Sequence, residues 1–174
     1  MAEATVIVGD LLVKGRISSW SLTPPASAIS NSHVASDAAI AATKVLHLIN
    51  VTDEIYGSGT TVAALAAGKA CYIAKGPGTL TDVRAYVYTP ANDVSRTVTV
   101  DLQKSTAGGA FATVLSGTVG FTNSSVALTL VTGTISSASY VAGDLFRWVV
   151  SVAGGSGTQA AGLTASFVAY EATT

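Results

Sequence analysis

Residues Ser95–Lys104 read SRTVTVDLQK. Arg96, Val98, Val100 and Leu102 alternate with Thr97, Thr99, Asp101 and Gln103. A period of two places one set on each face of an extended strand, so this segment predicts a half-buried β-strand. The next residues carry Ala107-Gly108-Gly109 and then Phe111–Leu115. That spacing and turn chemistry predict a hairpin. Upstream, Leu80–Tyr88 repeats the alternation, with Val83, Ala85 and Val87 inward and Arg84, Tyr86 and Tyr88 outward.

Further strands are predicted at Lys69–Lys75, Ser125–Val131, Leu145–Val152 and Gly162–Glu171, separated by glycines at 117, 133, 143 and 154–155. Tyr140–Asp144 forms a corner into Leu145-Phe146-Arg147-Trp148. Phe146, Trp148 and Phe167 are the expected core anchors, because large aromatics bury the most area. About eight short strands at this spacing predict an all-β fold, a jelly-roll-like β-sandwich.

Composition agrees. The chain has 174 residues, 49% of them apolar and rich in Ala and Val, and only 11% are charged. Ordinary soluble domains carry about 25% charge. β-Branched Val and Thr favour a pleated surface.

N-terminal to Gly57-Ser58-Gly59 the pattern weakens, and residues 1–57 are expected to form an arm ahead of a sandwich at 58–174. Thr5–Val8 and Leu11–Ile17 are brief strand candidates, and Pro24-Pro25 fixes an extended course. Fully extended, an arm of this length reaches on the order of 180 Å. Apolar arms of that kind add to a partner's sheet edge. In SNSHVASDAAIAATKVLH (Ser30–His47), Val34, Ala38, Ala41, Val45 and Leu48 fall near helical spacing, and Ser36-Asp37 can open a short helix. Lys44–Val51 also reads as a strand, and both readings stay open. The segment is too small-sided to be a core and suits close approach of several chains. Val34, Ile40 and Val45 are the expected interchain contacts. Lys44 is placed to meet a carboxylate or carbonyl of a neighbour, and His47 to serve as an interchain hydrogen-bonding group.

Chemistry is harder to find. Nucleophilic catalysis needs a Ser, Cys or Thr near a base, usually His. The two histidines, His33 and His47, both lie in the arm, and no G-x-S-x-G elbow occurs. Asp53 and Glu54 are adjacent, so on a strand they point to opposite faces and make a poor glycosidase pair. Cys71 is expected to be a buried, inert strand residue. Cysteine pairs and calcium-loop spacing are absent, so no metal and no cofactor are expected. The net charge is −1 and basic residues are scattered singly, which disfavours nucleic-acid binding. Apolar runs fall short of the roughly 20 residues that span a bilayer, so no membrane segment is expected. The first residues lack the basic start and apolar run of a signal peptide.

Ser32-x-x-x-x-Asp37-Ala38-Ala39-Ile40-Ala41-Ala42-Thr43-Lys44 resembles the collar element of phage fibres and capsid-decorating proteins. Val98–Lys104, Gly108–Leu115, Ala142-Gly143-Asp144 and Gly155–Leu163 resemble β-domains of phage structural and head-fibre proteins. The chain thus resembles tailed-phage virion structural proteins of the capsid decoration (cement) and head-fibre type. The resemblance implies a non-enzymatic homotrimer that binds the major capsid protein and stabilises the shell. It also implies synthesis in the host cytoplasm and residence on the capsid exterior. The rival reading is a tail-fibre or head-fibre module that recognises a host-surface glycan, with Tyr86, Tyr88 and Tyr140 stacking on sugar rings.

Overall fold

A computed structural model describes residues 46–172. Ten strands form two antiparallel sheets, and no helix occurs among the described residues. One sheet, sheet I, runs β1 (Leu46–Thr61), β10 (Ala161–Ala172), β3 (Gly78–Thr89) and β7 (Val131–Thr132), with β8 (Ser139–Tyr140) also paired to β3. The other, sheet II, runs β2 (Leu65–Ile73), β9 (Leu145–Ala153), β4 (Thr97–Ser105) and β5 (Ala112–Thr113), with β6 (Val119–Phe121) also paired to β4. The chain crosses from one sheet to the other after β1, β2 and β3, and again after β6, β8 and β9.

The alternation in the sequence becomes the packing. Val98, Val100 and Leu102 of β4 point inward and are fully buried, as are Phe146, Trp148 and Val150 of β9. Leu163, Ala165, Phe167 and Ala169 face them from β10. Phe167 meets three rings of sheet II, with centroids 5.5 Å from Phe146, 5.9 Å from Tyr72 and 6.1 Å from Trp148. Small alanines beside the aromatics let the two layers interdigitate at interior density. A register shift opposite Val168/Ala169 explains how Leu80 and Val83, three apart on β3, both reach the core.

Two expectations differ from the structure, and one choice left open is decided by it. The boundary placed at residue 57 falls inside β1, which is hydrogen-bonded to β10 from Leu46 onward. Of the two readings for Lys44–Val51, the described part from Leu46 is strand. Ser125–Val131 contributes only its last residue to a strand. Leu128 there has φ +59°, a left-handed conformation that breaks an extended course, and Val126, Leu128 and Leu130 are exposed. The hairpin from β4 to β5 forms as expected, pairing Gln103 with Thr113.

Candidate functional site

Val34, Ile40, Lys44 and Val45 lie outside the described residues. His47 lies near the start of β1, exposed and directly opposite Glu171 of β10. Its neighbours Leu46 and Leu48 are 64% and 62% exposed, and Tyr170, opposite Leu48, is exposed beside them. Among the described residues β1 pairs only with β10, and no other described strand lies along its outer edge. The register with β10 is unbroken from Leu46 to Glu54 and then shifts, at Glu54/Tyr56 and Tyr56/Thr61. Leu46–Thr52 contains no Pro, no Gly and no formal charge, so it lacks the guards that blunt natural edge strands. The local sequence puts apolar side chains on both faces, Ile49 and Val51 inward and Leu46 and Leu48 outward.

Next to this end lies a buried polar cluster. Glu171 is 4% exposed and accepts hydrogen bonds from the Tyr72 hydroxyl at 2.8 Å and the Lys75 N–H at 3.3 Å. Tyr140 is buried against Phe146 in an edge-to-face contact of 5.3 Å, and its hydroxyl has no hydrogen-bond partner among the described residues. Burial first, and the neighbouring Glu171 carboxylate second, hold both phenols above their ordinary value. Asp144 closes the corner after β8. Its Oδ2 accepts the Val141 N–H at 3.1 Å and pairs with Lys104 Nζ at 3.3 Å. The cavity over this pair holds about 210 Å³.

Cys71 is half-buried rather than fully buried, and burial reinforced by Asp53 pushes its thiol up to about 12. It opens onto a groove of about 450 Å³ with Tyr72, Ile73, Lys75 and Leu145, and a thiol held this high stays protonated and is a poor nucleophile. Among the described residues no cluster of His, Cys, Asp and Glu could hold a metal ion. No helix there is long and apolar enough to cross a membrane.

The three tyrosines of the glycan reading part company. Tyr140 faces the core, so it has no ring face to offer a ligand. Tyr86 and Tyr88 share the outward face of sheet I, with centroids 5.4 Å apart and hydroxyls 3.5 Å apart. Sequence reasoning missed what surrounds them: Thr164 opposite Tyr86, Glu54 opposite Thr164, and Gly162 beneath Tyr88. The signal available was Gly162 inside an otherwise regular strand pattern, a mark of close approach by a neighbour.

Compared with known proteins, the chain matches no family model, no curated protein and no solved structure.

Proposed function

We propose that the protein is a non-enzymatic capsid decoration, or cement, protein that trimerises and binds the major capsid shell. The observation that carries this reading is the open edge of β1. A strand of 16 residues begins with exposed Leu46 and Leu48 beside exposed Tyr170, and in sequence it directly follows the segment that carries Val34, Ile40, Lys44 and Val45. An unguarded edge with apolar side chains suits strand addition and burial against another chain. Scarce charge supports it, since neutral faces pack without desolvating ions, a cost of several kcal/mol per ion. The strand order supports a jelly roll as the finer fold: four-strand paths β1-β10-β3-β7 and β2-β9-β4-β5, with the chain passing repeatedly between them.

The test is binding of the purified chain to purified empty shells. Saturable co-sedimentation at a copy number set by the capsid lattice is the expected result. Ile40→Asp, and separately Leu48→Glu on the described edge, should yield monomers or failed attachment. Light scattering behind size exclusion distinguishes the two defects. An unchanged trimer with Ile40→Asp removes the interchain role of that residue, and no shell binding by the native chain removes the function.

A further inference from the structure

We propose that the outward face of sheet I is a binding platform for neutral oligosaccharides, with Tyr88 as the stacking surface and Tyr86 as its wall. It lies further along the same sheet from the Leu46, Leu48 and Tyr170 patch and does not rest on the shell-attachment reading.

The platform is built by a glycine. Leu163 pairs with Val87 and Ala161 with Thr89, which sets Gly162 opposite Tyr88. Gly162 has φ +64°, and a Cβ there would lie 2.6 Å from Tyr88 Cδ2 and 3.0 Å from its Cγ. The missing side chain lets the tyrosine lean across the backbone of β10 instead of standing off the sheet. An aromatic ring laid over a strand presents a surface suited to the C–H face of a pyranose. Tyr86 stands beside it at 57° between ring planes, making a corner rather than a flat stack.

Polar groups rim the corner in register. Glu54 and Tyr86 flank the buried Thr164 in one row across three strands, and Thr52, Ser166, Arg84 and Thr132 form the next. Four strands at about 4.8 Å spacing make a face about 14 Å wide, the scale of a short oligosaccharide rather than one sugar. Hydroxyl, carboxylate and guanidinium groups together offer both donors and acceptors, as a polyol requires.

Charge selects the class. Arg84 Nε is held by Asp82 Oδ2 at 2.6 Å, so its cation is already paired, and Glu54 adds a further negative charge. That balance disfavours acidic sugars and leaves neutral ones. On the β7 side Leu128, whose N–H bonds the Val87 carbonyl at 2.9 Å, and Leu130 are exposed. They supply apolar contact for the methyl group of an acetamido sugar.

The experiment uses the full chain on a printed array of neutral and sialylated oligosaccharides, followed by calorimetry with the best neutral binder. Tyr88→Ala should weaken affinity about tenfold or more, in line with the loss of a stacked aromatic contact. Gly162→Ala keeps both rings but displaces Tyr88, and should weaken binding similarly. Ile73→Ala, at an exposed apolar residue on sheet II, should leave binding unchanged. If Gly162→Ala lowers the melting temperature sharply, the surface variant Tyr88→Ala carries the test alone. No oligosaccharide binding, a preference for sialylated glycans, or undiminished binding by Tyr88→Ala each overturns the proposal. So does a Tyr88→Ala chain that loses a protein partner while keeping its sugar affinity.

Discussion

The Tyr72 hydroxyl donates a 2.8 Å hydrogen bond to the Glu171 carboxylate, and the two residues belong to different sheets. The bond therefore ties edge strand β2 to the far end of β10. A carboxylate as enclosed as Glu171 must be satisfied by donors, and among the described residues it has two, Tyr72 and the Lys75 N–H. Tyr72→Phe should cost about 1.5–3 kcal/mol, the range for a hydrogen bond to a charged group. Urea unfolding measures it. A change within error would mean that water replaces the phenol at no cost.

The same cluster sets the response to alkali. Burial holds the Tyr72 and Tyr140 phenols above the ordinary 10.0 in the native state and pushes the Cys71 thiol from 9.0 up to about 12. Groups with raised native values hold their protons more tightly folded than unfolded. Their contribution is complete below the unfolded value and is lost as pH climbs through the native one. The unfolding midpoint should thus be level up to about pH 9, fall as Cys71 begins to differ between the two states, and fall more steeply above about 10. Cys71→Ala should delay the onset, and Tyr72→Phe should flatten the later part. A midpoint that stays level to about pH 12 would falsify the burial of all three groups.

How much of this was legible in the sequence depended on whether apolar residues kept to one face. β4 and β3 were readable because Val98, Val100 and Leu102, like Val83, Ala85 and Val87, sit inward with polar residues between them. β1 was obscured because Leu46 and Leu48 are outward while Ile49 and Val51 are inward, which erases the period of two. Val126, Leu128 and Leu130 gave a false alternation, since they are exposed and Leu128 turns the chain. The short strands β6 and β8 carry too few residues to show any period. For the candidate sites, the tyrosine pair could be read from i, i+2 spacing, whereas Glu54 and Thr164 join it only through strand register. The Tyr72–Glu171 bond spans 99 residues of sequence, and no local pattern announces it.

Arg147 shows how one side chain can hold an irregular edge. Its Nε and Nη2 reach Gln103 Oε1 at 3.1 and 2.8 Å, and Nη1 reaches the Ala67 carbonyl at 2.9 Å. Its guanidinium carbon lies 3.8 Å from the centroid of the Phe111 ring. Ala67 belongs to the stretch where β2 slips register against β9, between Leu65 and Lys69. Arg147 thus replaces ladder bonds the slip removes. Lysine keeps the charge but loses the planar fork and much of the stacking. Arg147→Lys is expected to cost about 1–2 kcal/mol. Hydrogen exchange should rise first along Leu65–Ile73; an increase spread evenly over both sheets would count against the clamp.

A second bridge between the sheets runs through the core. Trp148 is fully buried, and its indole N–H donates to Asp53 Oδ2 at 3.1 Å, while Asp53 Oδ1 pairs with Lys69 Nζ at 3.0 Å. The two interactions differ in how water competes with them. Lys69 is partly exposed, so its ion pair is screened and worth under about 1 kcal/mol. The indole N–H has no such access, and removing its acceptor leaves a buried donor unmatched, at about 1–3 kcal/mol. Asp53→Ala should therefore destabilise far more than Lys69→Met, and Asp53→Asn, which keeps an acceptor, should recover much of the loss. Added salt should shrink the Lys69→Met effect and barely alter that of Asp53→Ala. Equal losses from Asp53→Ala and Lys69→Met, both abolished by salt, would show that the tie between the sheets runs through the β1–β2 ion pair of Asp53 and Lys69 and not through the β1–β9 indole bond.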